Sequence, residues 1–176
     1  HFGVEDIDPF LLIHHAKNTL PGNQTQQQTG IGPHPHRGFS PVTVLFQGDI
    51  HHRDSRENSH VVKAGGVQWM NAGMGIIHSE RPSKEFAQNG GELEIIQFWV
   101  NTPAALKMAQ PKYQPLSRED IPNGKSEDGK FNYQLIAGQL NGVLGKISAQ
   151  SEMLILRLDF EAKGKFYFAV PSHYNA

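Results

Sequence analysis

Two short stretches carry residue types and spacings suited to holding a metal ion: Pro33-His34-Pro35-His36-Arg37-Gly38-Phe39 and Gly73-Met74-Gly75-Ile76-Ile77-His78-Ser79-Glu80. In an extended strand successive side chains point to opposite faces, so His34 and His36 share one face, and so do His78 and Glu80. If the two strands lie side by side in a barrel with those faces inward, three imidazoles and one carboxylate converge on a single point shielded from bulk water. A His-x-His pair alone is more often a surface pair or a satisfied core pair. The second same-face pair, set behind a Gly-x-Gly turn, is what turns the spacing into a site. Mixed nitrogen and oxygen donors suit a divalent first-row metal of intermediate softness, and iron, manganese, nickel, copper and zinc all meet that description. Four protein ligands leave one or two coordination positions free, which describes an open reactive centre rather than a closed structural one. One carboxylate against a dication leaves a local charge of about +1, which favours an anionic chelating substrate and lowers the pKa of bound water or hydroxyl groups.

The elements that must position these groups read as short strands. Residues 8–14 hold the apolar run Pro9-Phe-Leu-Leu-Ile13 and predict a strand, with His14 and His15 at a solvent-reaching end. Residues 18–29 are rich in Gln, Asn, Thr and Gly and predict a mobile loop. From Ile31 the histidine-bearing strand begins. Its even positions continue as Val42, Val44 and Phe46 and its odd ones as Thr43, Leu45 and Gln47, so the even, histidine-bearing face is expected inward unless Pro41 marks a bulge. Gln47-Gly48-Asp49 turns the chain and residues 50–54 pair back. His51 and His52 are adjacent, point to opposite faces, and are expected to be solvated. Strands follow at residues 60–63, 67–70 and 93–100, with a polar insert at 81–91 and no helical period before residue 101. Residues 102–130 hold Pro103, Pro111, Pro115 and Pro122 among many charges and predict a connector, with one helical turn near Ser117–Asp120. Four further strand-like runs lie at 131–139, 142–147, 153–160 and 165–170. None carries His-x-His, and His173 stands alone there, so no metal is expected in that half.

At 176 residues the chain is large enough to bury its own core, and its formal net charge is −1. Near-balanced charge without clustered Lys and Arg argues against direct nucleic-acid binding. The absence of cysteine excludes a disulfide framework and a thiolate zinc site. No apolar run approaches membrane-spanning length, and no secretory leader is expected from the residues at the start of the sequence. A cytoplasmic location fits, or a nuclear one in a eukaryotic source.

His34-Pro-His36-Arg-Gly-Phe, His52-Arg-Asp-Ser and Val67-Gln-Trp-Met-Asn-Ala-Gly-Met-Gly-Ile-Ile-His78-Ser-Glu80 resemble the N-terminal half of a pirin, a member of the cupin superfamily. Asp8-Pro-Phe-Leu-Leu, Phe98-Trp-Val-Asn101, Ile136-Ala-Gly-Gln-Leu-Asn-Gly142 and Val170-Pro-Ser-His-Tyr-Asn-Ala176 carry the resemblance along nearly the whole chain. It implies an all-β cupin double-stranded β-helix, or jelly-roll barrel, in a bicupin. The expected division is a metal-binding barrel over 1–101, a connector over 102–130 and an incomplete, metal-free second barrel from 131 to 176. In a pirin the segment resembling 170–176 leads into a further strand, so the sequence is expected to be a fragment of a longer protein. The resemblance also implies non-haem iron, Fe(II), on His34, His36, His78 and Glu80. Two activities follow from it. One is quercetinase-type cleavage of flavonols with molecular oxygen, in which Glu80 accepts the substrate's hydroxyl proton. The other is iron-dependent regulation through docking onto transcription factors or enzymes, and a metal that merely stabilises the barrel is a third reading. Cupins commonly place an acid shortly after His-x-His, and pirins often have glutamate where Ser40 stands. That residue is not a ligand in the family, so metal binding is expected to survive while the support of His36 differs.

Overall fold

The computed structural model describes residues 7–174. Its N-terminal part, up to Leu116, consists of strands β1 (Phe10–Leu20), β2 (Ile31–His36), β3 (Phe39–Gln47), β4 (Asp49–Asp54), β5 (Ser59–Lys63), β6 (Val67–Asn71), β7 (Ile76–Arg81), β8 (Gly91–Asn101) and β9 (Lys112–Leu116), with one helix, α1 (Lys84–Asn89). These form two sheets, a five-stranded one in the order β1-β8-β3-β6-β9 and a four-stranded one in the order β2-β7-β4-β5. Between them lie Leu45 from the first sheet and Ile50 and Val62 from the second, all buried. This is the all-β cupin barrel that the sequence predicts.

Several local expectations give way to sheet pairing. Residues 50–54 do not pair back onto β3, because β8 and β6 already occupy both of its edges. A strand's amides must find partners, so β4 crosses to the opposite sheet and pairs with β5 and β7. The parity carried from the histidines into β3 also fails. Gly38, at φ 74°, bends the chain between the sheets and donates its amide to the Gly73 carbonyl. A residue with a Cβ resists that conformation, and after the bend even and odd positions change roles. Thr43 and Leu45 face the barrel interior, while Val42 and Val44 pack outward in a cluster with Trp69, Ile136 and Ile155. Both faces of β3 are buried for this reason.

The first strand is longer than expected and takes up the start of the Gln-rich segment. The rest of that segment is held down: Gln26 is buried and donates to the Pro82 carbonyl at 2.7 Å, and Arg81 donates to the carbonyls of Gln26 and Thr29. Within the polar insert, Ser83 caps α1 by accepting from the Phe86 amide at 3.1 Å, and Gly90 ends it at φ 74°. This helix went unpredicted because it is six residues long, too short to show a period. The connector supplies β9, which pairs with β6, and a 3-10 turn at Arg118–Asp120 where the helical turn was expected.

From Asn123 the chain forms β10 (Asn123–Lys125), β11 (Phe131–Ala137), β12 (Gln139–Leu140), β13 (Val143–Leu144) and β14 (Ile155–Phe160). Strands β10-β11-β14 make one sheet and β12-β13 a short hairpin. The strand expected over 165–170 does not form. Phe166 instead packs its ring against Phe131, 4.6 Å between centroids, and stacks on Tyr133 and Phe168. No helix among the described residues is long and apolar enough to cross a membrane.

Candidate metal centre

Strand β7 lies in the middle of its sheet, with β2 on one side and β4 on the other. Its burial alternates, so Ile76, His78 and Glu80 face inward and Ile77 turns out. The approach to β7 depends on Gly73 at φ 49°, where an added Cβ would run into the Ala109 carbonyl oxygen. On β2, His34 lies directly opposite His78 and His36 opposite Ile76. The alternation of β2 turns both of these histidines to the inner side. Each of His34, His36 and His78 brings a ring nitrogen within 4.8 Å of the others.

The chemistry of the three rings fits a metal. Burial, reinforced by His34, lowers the pKa of His36 to about 4, and burial with the neighbouring histidines lowers that of His78 to about 3. Neutral imidazole is the form that ligates. His34 donates from Nδ1 to the Gly32 carbonyl at 2.8 Å, which leaves its Nε2 as the free nitrogen. His78 Nε2 is buried with no hydrogen-bond partner, an arrangement that costs free energy unless another atom takes its lone pair.

Glu80 shares the inward face of β7 and lines a cavity together with His34 and His36, but its carboxylate is not part of the three-histidine cluster. Thr43 and Gln68 donate to its Oε1, and Gln97 donates to Oε2 at 3.1 Å. Burial raises its pKa against the pull of these donors and of His34. Gln97 is oriented in turn by Trp99, whose indole donates to Oε1 at 3.2 Å. Gln68 is oriented by the Tyr113 hydroxyl, also at 3.2 Å.

Beside β7, on β4, lies a further histidine. His52 is fully buried, contrary to the expectation of a solvated pair, because β4 runs beside β7 and turns His52 and Asp54 to the inside. Its Nε2 meets Asp54 at 2.8 Å, its Nδ1 lies 3.3 Å from His78 Nδ1, and its ring stacks on Tyr113 at 3.8 Å. His51 points the other way, to Gln26 and Ser59. His14 and His15 are exposed, as expected, His60 is exposed too, and His173 meets Glu152 away from the site. Ser40 donates to Asn71.

Sequence reasoning missed Thr43, His52, Asp54, Gln68, Gln97 and Tyr113. His52 and Asp54 sit two apart, and that shared parity was a usable signal. Gln68 and Gln97 each interrupt an apolar strand, which marks a buried polar group with a task. Tyr113 comes from the Pro-rich connector, where no periodicity pointed to it.

A cavity of about 610 Å³ opens onto the cluster, walled by Ile31, Pro35, Phe39 and Trp99 beside His34, His36, Glu80 and Gln97, with Arg37 on its lining. The Trp99 ring lies 4.7 Å from that of Phe39 and 5.7 Å from that of His36.

The family described as Pirin matches residues 2–100. Pirin-1 of Arabidopsis thaliana is 35% identical over 170 residues, which cover 97% of this chain and 54% of that protein. Pirin of Homo sapiens is 33% identical, covering 98% of this chain and 55% of that one. A crystal structure of a quercetin 2,3-dioxygenase from Acinetobacter baumannii superimposes with a TM-score of 0.81 at 37% identity, covering 87% of this chain and 53% of that one. The chain spans about half the length of the curated relatives it matches. A cupin barrel with two histidines on β2 facing one on β7, together with the match over its first hundred residues, establishes that the chain belongs to the pirin family.

Proposed function

We propose that this chain holds a divalent metal, iron(II) foremost, on His34, His36, His78 and Glu80, and that the protein uses it to open flavonols with molecular oxygen. The observation that carries the reading is the buried, partnerless Nε2 of His78 beside two further imidazoles. When bound, such a metal would supply Lewis-acid polarisation and, if redox-active as iron is, one-electron chemistry; manganese, nickel, copper and zinc suit the same donors. The residues do the rest. Apolar and aromatic walls from Ile31, Phe39 and Trp99 suit a planar polyphenol and exclude water from its face. Glu80 accepts the substrate's hydroxyl proton at Oε2, which takes a single hydrogen bond, while Thr43 and Gln68 keep Oε1 fixed.

In the same reading the metal-binding barrel assigned to the chain up to residue 101 is completed by β9 from the 102–130 connector, and the strands from Phe131 onward, joined by β10, belong to a second barrel without metal. A second reading, an iron-dependent regulator that docks onto a transcription factor or an enzyme, draws support from Ile77 and Met74. Both are exposed, and Ile77 pairs with the exposed Pro35. Either activity fits a cytoplasmic protein, or a nuclear one in a eukaryotic source.

Elemental analysis and oxygen uptake test the proposal. His34→Ala and His78→Ala are expected to purify with little metal, whereas Glu80→Gln, reloaded with iron to full occupancy, binds flavonol but loses turnover by ~10²-fold. Undiminished metal in both histidine variants removes the ligand assignment. A fully loaded wild type that neither binds nor oxidises any flavonol removes the enzyme reading in favour of the regulator.

A further inference from the structure

His78 differs from ordinary metal-ligating histidines in what stands behind it. Such a residue usually gives its second N–H to a carboxylate, a backbone carbonyl or water, which fixes both tautomer and orientation. Here the neighbour of Nδ1 is another imidazole, His52 Nδ1 at 3.3 Å, and a ring nitrogen can either donate or accept. The direction of that bond therefore has to be set farther back. Asp54 sets it. Its Oδ1 accepts from the amides of Arg56 and Asn58 at 2.9 and 3.1 Å, and the Asn58 side chain donates to both oxygens. A carboxylate engaged in this way is an acceptor toward His52, so His52 Nε2 carries the proton of the 2.8 Å bond. In a neutral ring Nδ1 must then accept, His78 Nδ1 must donate, and His78 Nε2 is left with its lone pair.

We propose that Asp54 and His52 are positioning residues that dictate the tautomer of His78 and thereby hold its Nε2 ready for the metal. Tyr113 keeps the relay in register, since its ring lies parallel to His52 within 6°. Its hydroxyl reaches Gln68 and through it Glu80, so one side chain from β9 braces both functional residues of β7. The proposal rests on the metal reading above, but its central claim concerns protons and can be read without metal.

The measurement is long-range ¹H–¹⁵N correlation of the histidine rings in the full, metal-free chain, assigned through single-histidine variants. Expected are a protonated Nδ1 on His78 and a protonated Nε2 on His52. Asp54→Asn is the informative variant, because its amide can donate to His52 Nε2 while its oxygen still accepts the Arg56 and Asn58 amides. That inverts the relay: His52 then donates from Nδ1, and His78 carries its proton on Nε2. Iron(II) affinity, measured anaerobically by chelator competition, is expected to fall ~10- to 100-fold. A wild type with the proton on His78 Nε2, or an Asp54→Asn protein that keeps both the tautomer and the affinity, overturns the proposal. A wild type that shows the expected tautomers but takes up no iron leaves the relay standing and sinks the metal reading instead.

Discussion

Strands β2 and β4 flank β7 on opposite sides, each carries two histidines, and the two flanks do different work. On β2 the histidines are two apart, share a face, and approach His78 from the cavity side. His34 spends one nitrogen on the Gly32 carbonyl and keeps the other. On β4 the histidines are adjacent, so the pleat separates them. His52 is sealed in with both nitrogens engaged, by Asp54 and by His78, and His51 is bonded on the outer side. Whether a histidine can serve a metal is therefore decided less by its nearness to the site than by how many of its nitrogens the protein has already used.

Variants along these flanks can break or sharpen the contrast. The largest effect is expected at β7 and β2, where His78→Ala and His34→Ala should abolish stoichiometric metal while circular dichroism still reports the β fold. The inversion at Asp54 comes next, a weakened rather than an absent site. A change in the core between the two sheets separates stability from ligation. Leu45→Ala, at a fully buried position between Ile50 and Val62, is expected to cost about 2–5 kcal/mol in denaturant unfolding while the native protein keeps its metal. The smallest effect is expected at His51→Ala, which should leave metal content unchanged. Loss of metal there would erase the distinction between the two faces of β4.

The ligand candidates were legible because period-two spacing survives wherever a strand stays straight, as it does from His34 to His36 and from His78 to Glu80. Parity stopped being informative where the chain changed sheets. Gly38 resets it before β3, so Thr43, assigned to the outer face, reaches Glu80 instead. Pairing partners were not legible at all, because the occupied edges of β3 are a fact about β6 and β8 rather than about β4. The support for the site was hidden for the same reason. Tyr113 lies 61 positions beyond His52 in the chain, on a strand with too many prolines nearby to read as one.

The chain has two tryptophans, and the fold has given them separate duties. Trp69 is 1% exposed and donates to Asn71 in the packed layer outside the barrel, whereas Trp99 lines the cavity with its ring 5.7 Å from that of His36. Excitation of the whole protein therefore yields emission from one indole insulated from the site and one in contact with it. A paramagnetic ion held at the histidines, which quenches at short range, is expected to dim Trp99 more than Trp69, so the two indoles respond unequally to occupancy of the site.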